Sequence, residues 1–193
     1  MLSRTKSELR REYTQMREAM AQSEVDRLSE KIIDTILKLP VFKRAETVMV
    51  YLNFKNEVDS LKMIEESYNA GKKVVIPYCV KETMEIIPSE LNDIETEIVK
   101  GKNGYLQAKK DCVKPVPIED IDLIVVPGIA FDKRCYRLGF GAGYYDRFLR
   151  KLNFEKPTIG LCYDFQIIHS IPVEDHDVPL DFVITEERIL VRP

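Results

Sequence analysis

Up to Pro40 the apolar positions recur at helical spacing; beyond it they gather into short continuous runs. Leu9, Tyr13, Met16 and Met20 follow one helical stripe and Val25, Leu28, Ile32 and Ile36 another, which predicts two amphipathic helices with Ser23 as a cap between them. The run "TVMVYL" (47–52) reads as a strand, Ser60–Ala70 as a helix and "KVVIPY" (73–78) as a second strand. "MEIIP" and "NDIETEIV" read as strand pieces and loop, and Lys100–Pro117 as the least regular region, a candidate mobile loop. "DLIVVPG" (122–128) is apolar almost throughout, as a strand buried on both faces must be. Tyr144–Leu152 reads as helix, "TIGLCYD" (158–164) as strand, and "DFVITEERILV" as one or two strands at the end. Strands alternating with helices predict an α/β fold with a largely parallel sheet flanked by helices.

Composition narrows the class. A chain of 193 residues supports one substantial core, so 1–193 reads as a single domain. With 45% apolar and 32% charged residues it has the make-up of a soluble globular protein. A net charge of −3 argues against a nucleic-acid partner, and no apolar run approaches the roughly 18 to 20 residues of a membrane span. The N-terminal stretch has no apolar secretory core, and Glu8, Glu12 and Glu18 are wrong for an acid-poor transit peptide. Cys79, Cys112, Cys135 and Cys162 form no CxxC pair and read as free thiols in a reducing cytoplasm.

Three groups of residues carry candidate chemistry. With Lys6 as zero and about 100° per residue, Arg10 falls near 40° and Arg17 near 20°, beside an apolar stripe centred near 310°. That basic stripe is either a solvated face or the edge of a cleft that clamps an anion such as a phosphate. The second group is "RLGFGAGYYDRFL" (137–149), which holds three of the eight glycines. It is not a Walker A loop, and its GxGxG spacing, well after the preceding strand, does not fit a dinucleotide fingerprint. What remains is either a tight loop or a backbone whose N–H groups surround an anion, with Arg137 directly before it. The third group is acidic. Asp146 lies in the first turn of a helix, and "PVEDHD" supplies Glu174, Asp175, His176 and Asp177. Such oxygens suit Mg²⁺ shared with substrate phosphates, although acid clusters in loops are commonly only solvated. His169 and His176 lack zinc spacing, and neither a GxSxG elbow nor a Cys–His pairing is legible.

The block "DLIVVPGIAFDKRCYRLGFGAGYYDRFL" resembles the strand, acidic turn and RLGxGxGYYDRxL signature of the 5-formyltetrahydrofolate cyclo-ligase family. The likeness continues through "IGLCYDFQ" and "IPVEDHDVPLDFVITE"; upstream, "KSELR" with Arg17 resembles that family's opening helix and "NEVDS" its E-V-D-[ST] segment. The resemblance implies a three-layer α/β fold related to sugar-phosphate isomerase and CoA-transferase folds; the protein is expected to be a cytoplasmic monomer with no nucleic-acid or membrane partner. It implies ATP- and Mg²⁺-dependent cyclisation of 5-formyltetrahydrofolate to 5,10-methenyltetrahydrofolate, with ADP and phosphate released.

By the same resemblance Lys6 and Arg10 match contacts to ATP phosphates. Arg137, Leu138, Gly139, Phe140, Gly141, Ala142, Gly143, Tyr144 and Tyr145 match the nucleotide loop, of which Phe140 to Tyr144 also touch the folate. Arg137 and Asp146 match catalytic positions, and Asp146 and Asp177 match Mg²⁺ ligands. Glu57 matches the carboxylate that accepts hydrogen bonds from the pterin, with Leu52 as an apolar wall. Two positions depart from the pattern. Cys135 stands where the family commonly has glycine, so a side chain there should alter the turn before Arg137 and reach toward the nucleotide. Gln107 and Ala108 replace an acid and a proline in a loop near the folate or phosphate.

Overall fold

The computed structural model describes residues 4–102, 104–152 and 156–193. Helix α1 (Lys6–Glu18) opens with a capping box: the Thr5 hydroxyl accepts from Glu8 N–H and the Glu8 carboxylate accepts from Thr5 N–H. The apolar stripe differs from the one the spacing predicts. Met16 is exposed and Met20 lies beyond the helix, while Arg17 is buried. Leu9, Tyr13 and Arg17 form an i, i+4, i+8 row, so the buried face is rotated toward the basic stripe. Helix α2 (Gln22–Lys38) buries Val25, Leu28, Ile32, Ile33 and Ile36, but its N-cap is Ala21 and Ser23 lies inside it. Proline opens the short α3 (Pro40–Arg44), where its missing N–H costs nothing.

Strand β1 (Thr47–Met49) leads through a loop to α4 (Ser60–Asn69), and then come β2 (Lys73–Val80) and β3 (Glu85–Leu91). A single helical turn, α5 (Ile94–Glu97), replaces part of the strand expected there, because the Asp93 carboxylate accepts from Glu95 N–H and starts it. The expected irregular stretch contains order: β4 (Ile98–Lys100) pairs antiparallel with β5 (Leu106–Ala108), and Asn103 lies outside the described residues. The chain continues with β6 (Leu123–Val126), β7 (Ala130–Asp132), β8 (Arg137–Leu138), α6 (Tyr144–Leu149), β9 (Thr158–Leu161), β10 (Ile167–Ile168), β11 (Phe182–Ile184) and β12 (Ile189–Val191).

Seven strands form the main sheet in the order β12-β11-β9-β6-β1-β2-β3. The inner pairings are parallel; β3 and β12 close the two edges as antiparallel partners. Alternate residues feed two cores. Val48, Val74, Leu123, Val125 and Ile159 pack against α2, α3 and α4, whereas Met49, Val75, Ile124 and Val126 face Phe148 and Leu149 of α6. Helix α1 does not lie on this sheet. Its Leu9 and Tyr13 pack on Ala130, Leu138 and Ile168 of a small second sheet, β10-β7-β8.

Chain order decides where a ligand can enter. From β1 the chain moves to β2 on one side, and it later returns as β6 on the other. The loops leaving the carboxyl ends of β1 and β6 therefore diverge, and such a switch point is where open α/β sheets form binding crevices. The loop after β1 carries Leu52 and Glu57; the one after β6 carries Pro127 and Gly128.

Candidate active site

Helix α1 bridges the two diverging loops through Arg17, and its basic stripe faces protein instead of solvent. Lys6 Nζ donates to Asp177 Oδ2 at 2.6 Å and lies 3.1 Å from Glu174 Oε1. Arg10 Nε donates to the Gly139 carbonyl at 2.8 Å. Arg17 donates to the carbonyls of Lys55 at 3.2 Å and Gly128 at 3.3 Å, and its Nη1 lies 3.5 Å from Glu57 Oε1. The solvated-face reading thus fails for these three side chains. Burial opposes the charge on Lys6, but the bonds to Asp177 and Glu174 prevail and hold its pKa above the usual lysine value. In Asp177 burial is likewise outweighed, by the Lys6 bond and the Glu174 N–H, and its carboxyl stays below the usual range.

Glu57 is buried in the loop after β1. Its Oε2 accepts from Phe54 N–H at 2.9 Å. Burial pushes its carboxyl up to about 7, with Arg17 and the Phe54 N–H pulling the other way. Leu52 lies half-buried against the α2–α4 core.

The glycine loop is held from three directions. Arg137 Nη2 donates to Asp146 Oδ1 at 2.8 Å, and its guanidinium lies 5.5 Å from the Tyr145 ring centre. A Cβ on Gly139 would come within 2.5 Å of Arg137 Nη1, so a side chain there would push that buried guanidinium aside. Gly141, at φ +104°, holds a backbone conformation that other residues rarely adopt. Arg147 anchors the far side, donating to the carbonyls of Ala142 and Met84. Between them Phe140 is 54% exposed at the loop tip, 5.8 Å from the Arg17 guanidinium. Gly141 and Ala142 are exposed too, while Leu138 belongs to the core under α1. Two polar atoms here, Arg137 Nε and Tyr145 Oη, are buried without a hydrogen-bond partner among the described residues. Buried polar atoms are seldom left so, except where a ligand or water completes them.

Asp146 and Asp177, the two carboxylates expected to hold a hard cation, are each paired with a basic side chain, Arg137 and Lys6 respectively. Among the described residues no group of three or more His, Cys, Asp or Glu side chains converges on one point. Mg²⁺ keeps several waters and substrate phosphates and takes only one or two carboxylates, so this donor set fits it.

The turn before Arg137 behaves differently from the expectation. Cys135 adopts φ +64°, the left-handed region where the family's glycine is at ease, but its side chain points into the core and not toward the loop. Asp132, not singled out from the sequence, organises that turn: it is fully buried and accepts from the backbone N–H groups of Arg134, Tyr136 and Ile171. The anchoring role of Arg147 carries no local sequence signal either, since its contact with Met84 spans 63 residues. Gln107 and Ala108 lie in β5, paired with β4, and not in a loop.

The sequence profile of the 5-formyltetrahydrofolate cyclo-ligase family matches residues 2–186. The 5-formyltetrahydrofolate cyclo-ligase of Escherichia coli K12 is 28% identical over 183 residues, covering 91% of this chain and 97% of its own length. Among solved structures, the 5,10-methenyltetrahydrofolate synthetase of Aquifex aeolicus superposes with a TM-score of 0.82 at 34% identity, covering 96% of this chain and 92% of its own. The synthetase of Mycoplasma pneumoniae gives a TM-score of 0.76 at 30% identity, covering 94% and 98%.

Proposed function

Because the chain belongs to the 5-formyltetrahydrofolate cyclo-ligase family, we propose that it closes 5-formyltetrahydrofolate to 5,10-methenyltetrahydrofolate with ATP as co-substrate. The observation that carries this reading is convergence. Arg17 touches Glu57 on one loop and Gly128 on another, and lies under Phe140 of the glycine loop, whose Arg137 and Tyr145 retain unpartnered buried atoms. An acceptor for a pterin and a cradle for phosphates thereby share one crevice.

The chemistry explains why no nucleophilic side chain is needed. A formamide oxygen is a very poor leaving group. Attack of that oxygen on the γ-phosphorus of ATP breaks the bond to the ADP oxygen and leaves a phosphorylated imidate. The folate N10 then bonds to the formyl carbon and gives up its proton, and the carbon–oxygen bond breaks as phosphate departs. Both steps depend on positioning and on neutralising charge. In this reading Lys6, Arg10 and Arg137 receive the triphosphate, and backbone N–H groups from Gly139 to Gly143 line it. Glu57 accepts hydrogen bonds from the amino-pyrimidinone edge, and Leu52, Phe140 and Tyr144 wall the folate. Asp146 and Asp177 would hold Mg²⁺, which when bound neutralises phosphate charge.

The test is the methenyltetrahydrofolate absorbance band, followed while the protein is mixed with 5-formyltetrahydrofolate and Mg²⁺, with and without ATP. A rise that requires ATP supports the reading, and no rise in either case overturns it.

A further inference from the structure

Arg17 is the side chain on which the two loops of the crevice meet, yet no step above uses it. It is 1% exposed, although a guanidinium remains charged at any ordinary pH, so the fold accepts the desolvation of a permanent cation there. The contact is reciprocal. Lys55 and Asn56 hold left-handed backbone at φ 46° and 54°, and Asn56 Nδ2 donates to the carbonyls of Arg17 and Met20, each at 3.1 Å. The end of α1 and the loop after β1 therefore clamp each other, side chain to backbone in both directions.

We propose that Arg17 is a positioning residue of the folate site: by holding Glu57 Oε1 while it bonds the carbonyls of Lys55 and Gly128, it aims the Glu57 carboxylate and sets the spacing of the two loops. This rests on the reading of Glu57 as the pterin acceptor. Among the described residues the other titratable groups facing Glu57 are phenols, Tyr51 following β1 and Tyr145 on α6, which burial keeps neutral. Among the described residues Arg17 is the one cation that opposes the burial of Glu57. Without it the carboxyl stays protonated through neutral pH, and one lone-pair acceptor becomes a donor facing the pterin's own donors.

The experiment measures equilibrium binding of 5-formyltetrahydrofolate from about pH 6 to about pH 9, beside steady-state kinetics, for the wild type, Arg17→Met and Arg17→Lys. Wild-type affinity should rise with pH through about 7 as Glu57 ionises. In Arg17→Met, folate affinity at neutral pH should fall about tenfold or more and its rise should move to higher pH. The KM for ATP, and kcat at saturating folate, should stay within about twofold. Arg17→Lys keeps the charge but not the fork, so it should restore the wild-type pH midpoint with only part of the affinity. An Arg17→Met protein with unchanged folate affinity and midpoint overturns the inference, as does equal weakening of folate and ATP. Should Arg17→Met fail to fold, Arg17→Lys decides, and wild-type affinity there refutes the positioning role. A wild type that neither binds nor converts the folate refutes the Glu57 reading, and this inference with it.

Discussion

At the end of the crevice proposed for the folate, Glu57 and Arg17 face each other almost wholly buried at 3.5 Å; at the end proposed for the phosphates, Lys6–Asp177 and Arg137–Asp146 pair at 2.6 and 2.8 Å, with both carboxylates partly open to solvent. The buried pair is the looser one. Both of its members lean on backbone: Glu57 on the Phe54 N–H, and Arg17 on two carbonyls. A carboxylate held this way keeps lone pairs for a ligand, and burial makes each bond it forms count for more. The outer pairs satisfy themselves, so a phosphate bound there as proposed would have to compete for cations already engaged. One end is therefore organised by desolvation, the other by exchange of partners.

The strongest way to break this contrast is at the glycine loop. Gly141→Val puts a branched side chain at φ +104° and about 3.5 Å from the Arg10 guanidinium. Turnover should fall at least about a hundredfold, near 3 kcal/mol of barrier, while the circular dichroism spectrum stays native. Wild-type kinetics in that variant would mean the loop is only a turn.

Glu57→Gln tests the buried end. It removes the charged acceptor, so the KM for the folate should rise about tenfold or more and the pH step near 7 should disappear from the kcat/KM profile. It should also change stability. The Glu57 pKa is raised from 4.5 unfolded to about 7 folded, so between those values the folded state binds the extra proton. Stability thus falls as pH rises through that window, by roughly 3 kcal/mol from this residue. Urea denaturation between those pH values should show a flatter dependence in the glutamine variant.

Lys6→Ala weakens the exchangeable end. The KM for ATP should rise several-fold, with folate affinity unchanged. If the KM for ATP does not move, Lys6 serves only its pair with Asp177.

Cys135→Gly should have the smallest effect. Glycine relieves a left-handed residue of about 1 kcal/mol of strain, but it adds backbone entropy to the unfolded chain and empties a fully buried thiol site. A net loss of about 1 kcal/mol is expected in urea denaturation, with the KM for both substrates unaltered. A gain in stability would mean the strain outweighs the packing.

Local signals made much of this molecule legible. The α2 stripe, the continuous apolar run of β6 and the alternation of strands with helices all answer to periodicities that a chain carries wherever it folds. The glycine loop announced itself for the same reason, since a positive φ at Gly141 is a local demand. Misreadings occurred where a neighbour in space overruled the local pattern. Met16 reads as core but faces solvent, because the face of α1 is chosen by the small second sheet and by Glu57.

By itself, then, the sequence determined the element types, the burial of the central strands and the place of the tight turns, all interactions within a few residues. Only the tertiary structure decided what the basic stripe of α1 is for. Its partners lie 171 residues away for Lys6, 129 for Arg10, and 40 and 111 for Arg17. Helical periodicity says which face a helix buries, but strand order decides what that face meets. Here β1 and β6 are neighbours whose chains part at their carboxyl ends, and the cation that a local reading leaves undecided between water and a cleft edge bonds both of their loops.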